Sequence, residues 1–391
     1  MKWLTRAISI IVFVGTVTML SSTVCADRSG DEEILAVEAK DSTAKATILV
    51  EQSTGQVISE FNAHKKLPMA SVTKIMSLIL IMEAIDKGDM SMSETITASE
   101  YACSMGGSQI WLEPNEQMTV EELLRAVVIG SANDACVALG ERVAGTEEIF
   151  VQRMNEKAAE LGMSNTSYKN SIGFDDDGHY TTAYDIAIAS RELMKHDKIH
   201  PYMVTWMDEL RDGETSLVNT NQLVRFYDGI KGIKTGYTNL AGSCISACAE
   251  REGVGMIAVV LGCETSKERF AVARGLLDTG FAGFELFVPS IDSELLKPIK
   301  VIKGEVNTVE IKVEGLSNIV IPRGKGEAVE YTITLADNVQ APVEAGQSLG
   351  KLEITLEGKQ IHQSNIVAVD SIAKMTVAKG FWILLKSMFK M

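Results

Sequence analysis

A serine and a lysine that could act together in catalysis lie three positions apart, as Ser71 and Lys74. An apolar run from Ile75 to Ile85 follows and closes at Gly88, which predicts a buried helix ended by a glycine cap. Side chains three positions apart share a face of the first helical turn. A serine attacks a carbonyl group only when a base takes its proton, and a lysine in a dry site can be that base. The pair therefore predicts a nucleophile at a helix start, where unpaired backbone N–H groups suit a developing oxyanion.

Two further motifs give this pair its significance. The Ser-x-x-Lys spacing recurs at Ser42–Lys45 and Ser371–Lys374, so the spacing alone does not identify a site. Ser131-x-Asn133 and Lys234-Thr235-Gly236, in contrast, each occur once in the chain. Ser131 and Asn133 lie in a predicted turn between two helices, and the Lys-Thr-Gly motif lies on a predicted strand.

With its three motifs in this order, the chain resembles the low-molecular-mass penicillin-binding proteins that are serine-type D-alanyl-D-alanine carboxypeptidases. The resemblance runs from the N-terminal segment to the C-terminus. It implies a DD-peptidase/β-lactamase-like α/β fold, in which helices cover an antiparallel sheet, with a small C-terminal all-β domain and an amphipathic C-terminal helix. It also implies an enzyme that removes the terminal D-alanine from peptidoglycan pentapeptide, limits cross-linking, is acylated by β-lactams and uses no metal or other cofactor.

The resemblance assigns catalytic roles to residues of the first two motifs. Ser71 would be the nucleophile that carries the acyl group, Ser131 the proton relay to the leaving amine, and Asn133 a group that positions the substrate amide. Lys74 would be the base, which requires a neutral amine. Lowering its pKa from about 10.4 to about 7–8 needs roughly three units, or about 4 kcal/mol. Burial and the charge of Lys234 are the predicted causes.

The third motif is expected to bind the substrate. By resemblance, Lys234 and Thr235 would dock its terminal carboxylate, and Gly236 would allow the strand to approach closely. The backbone N–H groups of the nucleophile and of Tyr237 would form the oxyanion hole. Arg269 aligns with a second cation on the carboxylate side in some relatives, or is a helix-surface arginine.

Two other enzyme classes use the same chemistry. A class A β-lactamase would carry Glu-x-x-Leu-Asn after the second motif, and nothing between Asn133 and His179 matches it. An endopeptidase that cuts peptidoglycan cross-links performs the same reaction on a larger substrate and stays open. A scaffold with a vestigial site would have a broken motif, whereas all three are intact. The acidic stretch 175–179 lacks the calcium-binding pattern of an EF-hand and is predicted to be a solvated loop.

Composition narrows the protein class. The chain has 391 residues, 46% of them hydrophobic and 23% charged, which is typical of a globular protein. Its net charge of −15 argues against nucleic acid as a partner. Beyond Cys25, five cysteines remain without any Cys-x-x-Cys pair, which argues against a disulfide framework or a zinc site.

Changes in pattern along the chain predict five segments. Residues 1–26 have the charged, apolar and small-residue regions of a cleaved secretory signal peptide, so the protein is expected to be exported. A flexible acidic lead-in spans 27–44, and the catalytic domain spans 45–290. Alternating strands predict an all-β domain over 291–370. Residues 371–391 are expected to form an amphipathic helix.

The C-terminal segment predicts how the enzyme meets the membrane. After Gly380, six apolar residues fall on one broad arc of a helix, with Lys386, Ser387 and Lys390 opposite and only Ile383 misplaced. Such a helix is too short to span a bilayer but can lie in its interface. We therefore expect the mature protein at the outer face of the bacterial cytoplasmic membrane.

Overall fold

The computed structural model describes residues 42–292 and 295–388, with side chains of the last helix described to residue 382. The predicted signal peptide and most of the acidic lead-in lie outside the described residues. Contacts divide the chain into two compact units between Phe284 and Glu285, whereas the sequence placed this boundary after residue 290.

A five-stranded antiparallel sheet forms the centre of the first unit, as the sequence predicted. Its strand order is β2-β1-β9-β8-β7, and each adjacent pair is antiparallel. Strand β9 is buried along its whole length, which explains its unbroken apolar sequence. The strands are β1 (Ala46–Glu51), β2 (Val57–Phe61), β7 (Ile230–Thr238), β8 (Gly242–Arg251) and β9 (Val254–Cys263); two short hairpins add β3 (Thr95–Thr97) with β4 (Gln117–Thr119), and β5 (Met207–Leu210) with β6 (Thr215–Val218).

Helices cover the sheet and surround the apolar helix that follows Ser71. The helices of this unit are α1 (Lys74–Lys87), α2 (Glu100–Cys103), α3 (Val120–Arg125), α4 (Asn133–Ala144), α5 (Glu147–Glu160), α6 (Ala183–Leu193), α7 (His200–Met203), α8 (Leu223–Phe226) and α9 (Ser266–Gly283). Helix α9 packs on β8 and β9, and α6 packs on β1 and β9. Helix α1 is buried almost throughout and ends at Gly88, whose φ of 83° is the left-handed cap that the sequence predicted. Helix α3 begins with a capping box formed by Thr119 and Glu122.

The second unit is the expected small all-β domain. Its strands are β10 (Phe284–Phe287), β11 (Ile299–Ile302), β12 (Thr308–Val309), β13 (Ile311–Glu314), β14 (Ile319–Pro322), β15 (Val329–Leu335), β16 (Asn338–Gln340), β17 (Ser348–Leu356) and β18 (Lys359–Ala368). The sequence alternates without a break over 308–314, but this stretch is not one continuous strand. It breaks at Glu310, because β12 pairs with β11 while β13 pairs with β18 of another sheet.

A short strand-like segment joins this domain to the last helix, α10 (Val377–Met388). Ile372 pairs with Val343 and is buried, and Lys374 pairs with Gly304. Between residues 42 and 388, apart from 293 and 294, no helix has the length and apolar character needed to cross a membrane.

Candidate active site

Ser71, the predicted nucleophile, lies on a 3-10 turn, Ala70–Thr73, that leads directly into α1. Residues three apart are eclipsed in a 3-10 turn, so Ser71 and Lys74 face the same way. Ala70 has a φ of 49°, a strained value for alanine, immediately before Ser71. Ser71 is half-buried, whereas Lys74 is fully buried. The turn thus presents the hydroxyl to the cleft and keeps the amine dry.

The Lys74 amine has three partners. Its Nζ lies 3.0 Å from Ser71 Oγ, 2.6 Å from Asn133 Oδ1 and 2.9 Å from the carbonyl oxygen of Ile172. The two carbonyl oxygens can only accept hydrogen bonds. A neutral amine has two N–H groups and one lone pair, so when both carbonyls are satisfied the lone pair faces Ser71. This is the arrangement that a base needs in order to take the serine proton.

Burial lowers the pKa of Lys74 to about 8, and the nearby Asp134 carboxylate acts in the opposite direction. The sequence attributed this lowering to burial and to Lys234 together. In the structure, burial is the main cause of the lowered pKa of Lys74. The repulsion between the two amines lowers the pKa of Lys234 instead. The pKa of Lys234 is lowered well below its ordinary value, first by burial and then by the charges of Lys74 and Arg269.

The second motif closes around both lysines from the turn between α3 and α4. Ser131 has a left-handed backbone with a φ of 62°, and its Oγ accepts a hydrogen bond from Lys234 Nζ at 2.8 Å. Asn133 presents its oxygen to Lys74 because its amide nitrogen donates to the Gly106 carbonyl at 2.6 Å. The structure therefore joins Ser71, Lys74 and Asn133 in one hydrogen-bonded chain and Lys234 with Ser131 in another.

Strand β7 forms the opposite wall of the site. A Cβ atom placed on Gly236 would lie 2.8 Å from the Ser71 nitrogen, so only glycine leaves room beside this N–H group. Thr235 is buried and donates to the Thr220 hydroxyl at 2.8 Å. The side chain of Tyr237 is 61% exposed, and its hydroxyl donates to Asn239.

Arg269 on α9 is only 7% exposed, which excludes the alternative of a helix-surface arginine. Its Nη1 donates to the Gly236 carbonyl at 2.8 Å and to the Cys244 carbonyl at 3.4 Å. Its Nε is buried without a hydrogen-bond partner. The guanidinium therefore contacts β7 through the backbone of the third motif.

Comparison with known proteins identifies the family of this chain. A family model described as D-alanyl-D-alanine carboxypeptidase matches residues 33–265, and a second, the C-terminal domain of penicillin-binding protein 5, matches 284–374. The chain belongs to the D-alanyl-D-alanine carboxypeptidase family. It is 42% identical to the D-alanyl-D-alanine carboxypeptidase DacF of Bacillus subtilis over 335 residues, which cover 85% of this chain and 86% of that relative. It is 32% identical to DacC of Escherichia coli, and the match covers 86% of both chains.

Solved structures show the same fold. Penicillin-binding protein 5 from Haemophilus influenzae superposes with a TM-score of 0.76 at 28% identity, over 85% of this chain and 98% of the other. Penicillin-binding protein D2 from Listeria monocytogenes, solved in its ampicillin-bound form, covers 62% of this chain at 30% identity with a TM-score of 0.56. This membership confirms the predicted fold and a serine-type D-alanyl-D-alanine carboxypeptidase, a hydrolase.

The carboxypeptidase site also contains a loop that the sequence did not connect with catalysis. We call residues 165–182 the covering loop. Its Ile172 carbonyl accepts from Lys74, and Gly173 packs so tightly on the turn before Ser71 that a Cβ atom would overlap the Ala70 carbonyl. Within the stretch predicted to be solvated, the aspartates are exposed but His179 is 5% exposed, which corrects the prediction at that residue.

These contacts left little signal in the sequence. A backbone carbonyl and a glycine carry no chemical signature, and a histidine among aspartates resembles a surface residue. The motif Asn170-Ser171-Ile172-Gly173 resembles an ordinary turn. Its position is set from outside the loop, because Glu147 at the start of α5 accepts from the Ser171 N–H at 2.8 Å and Ser77 donates to the Ser171 carbonyl at 2.6 Å.

Proposed function

We propose that this enzyme removes the terminal D-alanine from peptidoglycan pentapeptide through an acyl-enzyme on Ser71, and that β-lactams acylate the same hydroxyl. The observation that carries the proposal is the orientation of the Lys74 amine. Its two N–H groups are matched by carbonyl oxygens, and its remaining lone pair faces the serine.

Acylation follows from this arrangement. Ser71 Oγ attacks the carbonyl carbon of the penultimate D-alanine while its proton passes to Lys74 Nζ. The tetrahedral oxyanion is placed at the Ser71 N–H group, in the space that Gly236 keeps open, with the Tyr237 N–H as the second donor. As the C–N bond breaks, the proton that Lys74 took is relayed to the leaving amine through Ser131, which gives up its own proton and receives that one in exchange. Water then hydrolyses the acyl ester, releases the shortened peptide and restores Ser71.

Two basic side chains beyond Ser131 support recognition of a free carboxylate, whose negative charge would favour the ammonium form of Lys234. Lys234 is 1% exposed and donates to Ser131 Oγ and to the Thr235 carbonyl, which leaves one N–H of its ammonium form for a ligand. We assign Lys234 to the substrate carboxylate, together with the Thr235 hydroxyl, whose proton would turn from Thr220 to the bound ligand. Arg269 lies behind them and adds positive charge through its position against Gly236.

Two measurements test the reaction. Intact mass spectrometry with a fluorescent penicillin is expected to show one covalent adduct that is lost in Ser71→Ala. A peptide ending in D-Ala-D-Ala is expected to release one D-alanine. An unmodified wild-type protein, or an adduct that survives in Ser71→Ala, would contradict the assignment of the nucleophile.

The role of Lys234 has its own test. Lys234→Ala is expected to lower kcat/KM for a free-acid peptide by an amount equivalent to about 2–5 kcal/mol, because a desolvated charge partner is lost. The matched substrate is the same peptide with an amidated C-terminus, which the wild type is expected to cleave poorly. If the wild type cleaves the free-acid and the amidated peptide at equal rates, Lys234 does not recognise the terminal carboxylate.

The same chemistry on a cross-linked substrate would make the enzyme an endopeptidase. A purified cross-linked muropeptide dimer separates the two activities, because a carboxypeptidase leaves the dimer intact and an endopeptidase yields monomers. Rapid release of hydrolysed penicillin would instead indicate a β-lactamase, and a long-lived adduct would exclude it.

We also propose that the exported enzyme works at the outer face of the cytoplasmic membrane, held there by α10. The described part of this helix supports the proposal, because Val377, Phe381 and Trp382 are 92%, 62% and 65% exposed. These apolar side chains are uncovered by the described protein and suit a lipid interface.

A further inference from the structure

His179 lies buried at the end of the covering loop with both ring nitrogens engaged. Nδ1 lies 3.0 Å from the Lys169 backbone nitrogen, and Nε2 lies 2.8 Å from Thr73 Oγ1. A backbone N–H can only donate, so Nδ1 must be the unprotonated acceptor. The ring is therefore the neutral tautomer with its proton on Nε2, which donates to Thr73.

The two partners of His179 belong to the two segments that meet at the catalytic base. Thr73 ends the 3-10 turn and immediately precedes Lys74. Lys169 begins the short stretch that reaches Ile172, whose carbonyl accepts from Lys74, and Gly173, which packs against the residue before the nucleophile. The imidazole thus ties the turn carrying the base to the stretch carrying an acceptor of that base.

We propose that His179 is a positioning residue for Lys74, which fixes the Ile172 carbonyl on the amine by bridging Thr73 and Lys169. The inference rests on the proposed role of Lys74 as the base. Ser77 and Glu147 hold Ser171 at the centre of the same stretch, but they do not reach Lys169 or the 3-10 turn. His179 secures the end of the stretch that these two residues leave open.

We call the two hydrogen bonds of His179, to Thr73 and to Lys169, the clamp. The clamp depends on a neutral ring, because a proton on Nδ1 would remove the acceptor for Lys169. Burial lowers the pKa of His179 to about 4. The carboxylates of Asp175 and Asp176 favour the charged ring, while Lys169 opposes it, and from the helix side Thr73 contributes no charge. Tyr168 presents only a neutral ring edge, at 6.0 Å between centroids. The ring therefore stays neutral throughout the pH range in which Lys74 titrates.

Three substitutions separate the two halves of the clamp. His179→Asn retains an acceptor near Nδ1, His179→Gln retains a donor near Nε2, and His179→Ala loses both. We expect acylation by a fluorescent penicillin to slow about tenfold to a hundredfold in the alanine variant and less in the other two. The half-maximal pH of acylation should rise in the alanine variant, because a loosened loop admits water and relieves the burial of Lys74. His64→Ala, at an exposed histidine, is the matched control.

A partner substitution keeps the test independent of whether the His179 variants fold well. Thr73→Val removes the acceptor of the Nε2 proton at nearly constant volume, and it is expected to slow acylation similarly. Combining it with His179→Ala should add little, since both remove one contact. The proposal would be overturned if folded His179→Ala and Thr73→Val were both acylated within about twofold of the wild-type rate, with an unchanged half-maximal pH.

Hydrogen exchange tests the clamp without relying on catalysis. The amides of residues 169–173 are expected to exchange faster in His179→Ala than in the wild type, while those of β8 and β9 remain protected. Unchanged exchange in this stretch would overturn the clamp even in an active enzyme. If the clamp is present but wild-type Ser71 is never acylated, the proposed function fails instead, so the two failures are distinguishable.

Discussion

At the residue scale, the chemistry of this site depends on which atoms accept the hydrogens of one amine. A lysine in water has three donors and readily holds its proton. Lys74 meets two carbonyl oxygens and one hydroxyl in a fully buried pocket, so its neutral form is accommodated as well as its charged form. Burial shifts the balance toward the neutral amine by lowering the pKa of Lys74 to about 8.

The pH dependence of acylation is the first prediction. The proposed base Lys74 can accept a proton only when it is neutral, and its pKa is lowered to about 8. Acylation should therefore accelerate as pH rises through about 8 and slow as pH falls below it. Stopped-flow measurement with a fluorescent penicillin checks this. Lys74→Arg, which stays charged, should show no such acceleration. A wild-type rate that is flat across this range would rule out Lys74 as the titrating base.

Gly173 provides the second prediction. Its φ is 92°, and a Cβ atom there would overlap the Ala70 carbonyl and crowd the Ser71 nitrogen. Gly173→Ala should reduce acylation about a hundredfold or more by displacing the nucleophile. Gly178→Ala in the same loop is the matched control, since its φ of 85° carries a similar backbone strain but its Cβ would meet only the flexible Lys169 side chain. Equal acylation rates in the two variants would mean that the clash is relieved without moving Ser71.

The sequence predicted the side chains of the site better than its backbone. Ser71, Lys74, Ser131, Asn133 and Lys234 carry distinctive groups, and the structure brings all five together. Sequence patterns could not show which carbonyl or amide faces them, because every residue has both. Backbone contacts depend on how two distant segments pack, and no local period encodes that.

At the element scale, a 3-10 turn and an edge strand build the reaction space between them. The sequence predicted Ser71 on the first turn of an α-helix, but the α-helix begins at Lys74 and the serine lies one 3-10 turn earlier. The difference matters, because the tighter turn eclipses Ser71 and Lys74. Strand β7 approaches this turn closely enough that Gly236 limits the distance.

The third prediction concerns this approach. Gly236→Ala places a methyl group 2.8 Å from the Ser71 nitrogen and 3.0 Å from the Met69 carbonyl oxygen. The methyl group would either block the Ser71 N–H that donates to the oxyanion or move β7 away from it. The loss of one such donor typically lowers kcat by about 10²–10³. Steady-state kinetics on a D-Ala-D-Ala peptide measures this cost.

Gly255→Ala on β9 is the control for this substitution. It lies in the same sheet, and the atoms nearest to its added Cβ belong to the flexible side chain of Gln52. Similar kcat values for the Gly236 and Gly255 variants would show that the close approach of β7 is not needed for catalysis.

The alternation of buried and exposed residues did not show which strand each segment pairs with. The stretch 308–314 keeps its alternating burial through Val309 and Ile311, yet its two halves pair with strands of different sheets. Period-two patterning reports which face is buried and says nothing of which strand lies alongside. The end of α1 at Gly88 was predicted well, because the partners of a helix cap are local in sequence.

At the scale of the whole molecule, charge is distributed unevenly along the chain. The protein carries a net charge of −15, while residues 377–391 contain three lysines and no acidic residue. One of these, Lys379, forms an ion pair with Glu305 of the all-β domain. The apolar side chains that follow it at Phe381 and Trp382 are exposed. A basic, apolar end on an acidic enzyme favours attachment to an anionic lipid surface.

Removing α10 is the fourth prediction, and the structure decides where to cut. Ile372 and Lys374 belong to bridges of the all-β domain, so a truncation at 371 would damage that domain. A chain ending at Thr376 removes the helix and leaves these bridges intact. In a vesicle flotation assay with phosphatidylglycerol-containing vesicles, mature protein that lacks residues 1–26 should float, and the version ending at Thr376 should stay in solution. Both should release D-alanine from soluble peptide at the same rate.

A second variant separates helix insertion from charge attraction. Replacing Phe381 and Trp382 by serine keeps all three lysines but removes exposed apolar area, which is worth roughly 25 cal/mol per Å² buried. If insertion holds the enzyme, this variant should float poorly at every salt concentration. If charge alone holds it, the variant should float like the wild type at low salt and detach as salt rises. Flotation of the chain that ends at Thr376 would contradict both and place the anchor outside α10.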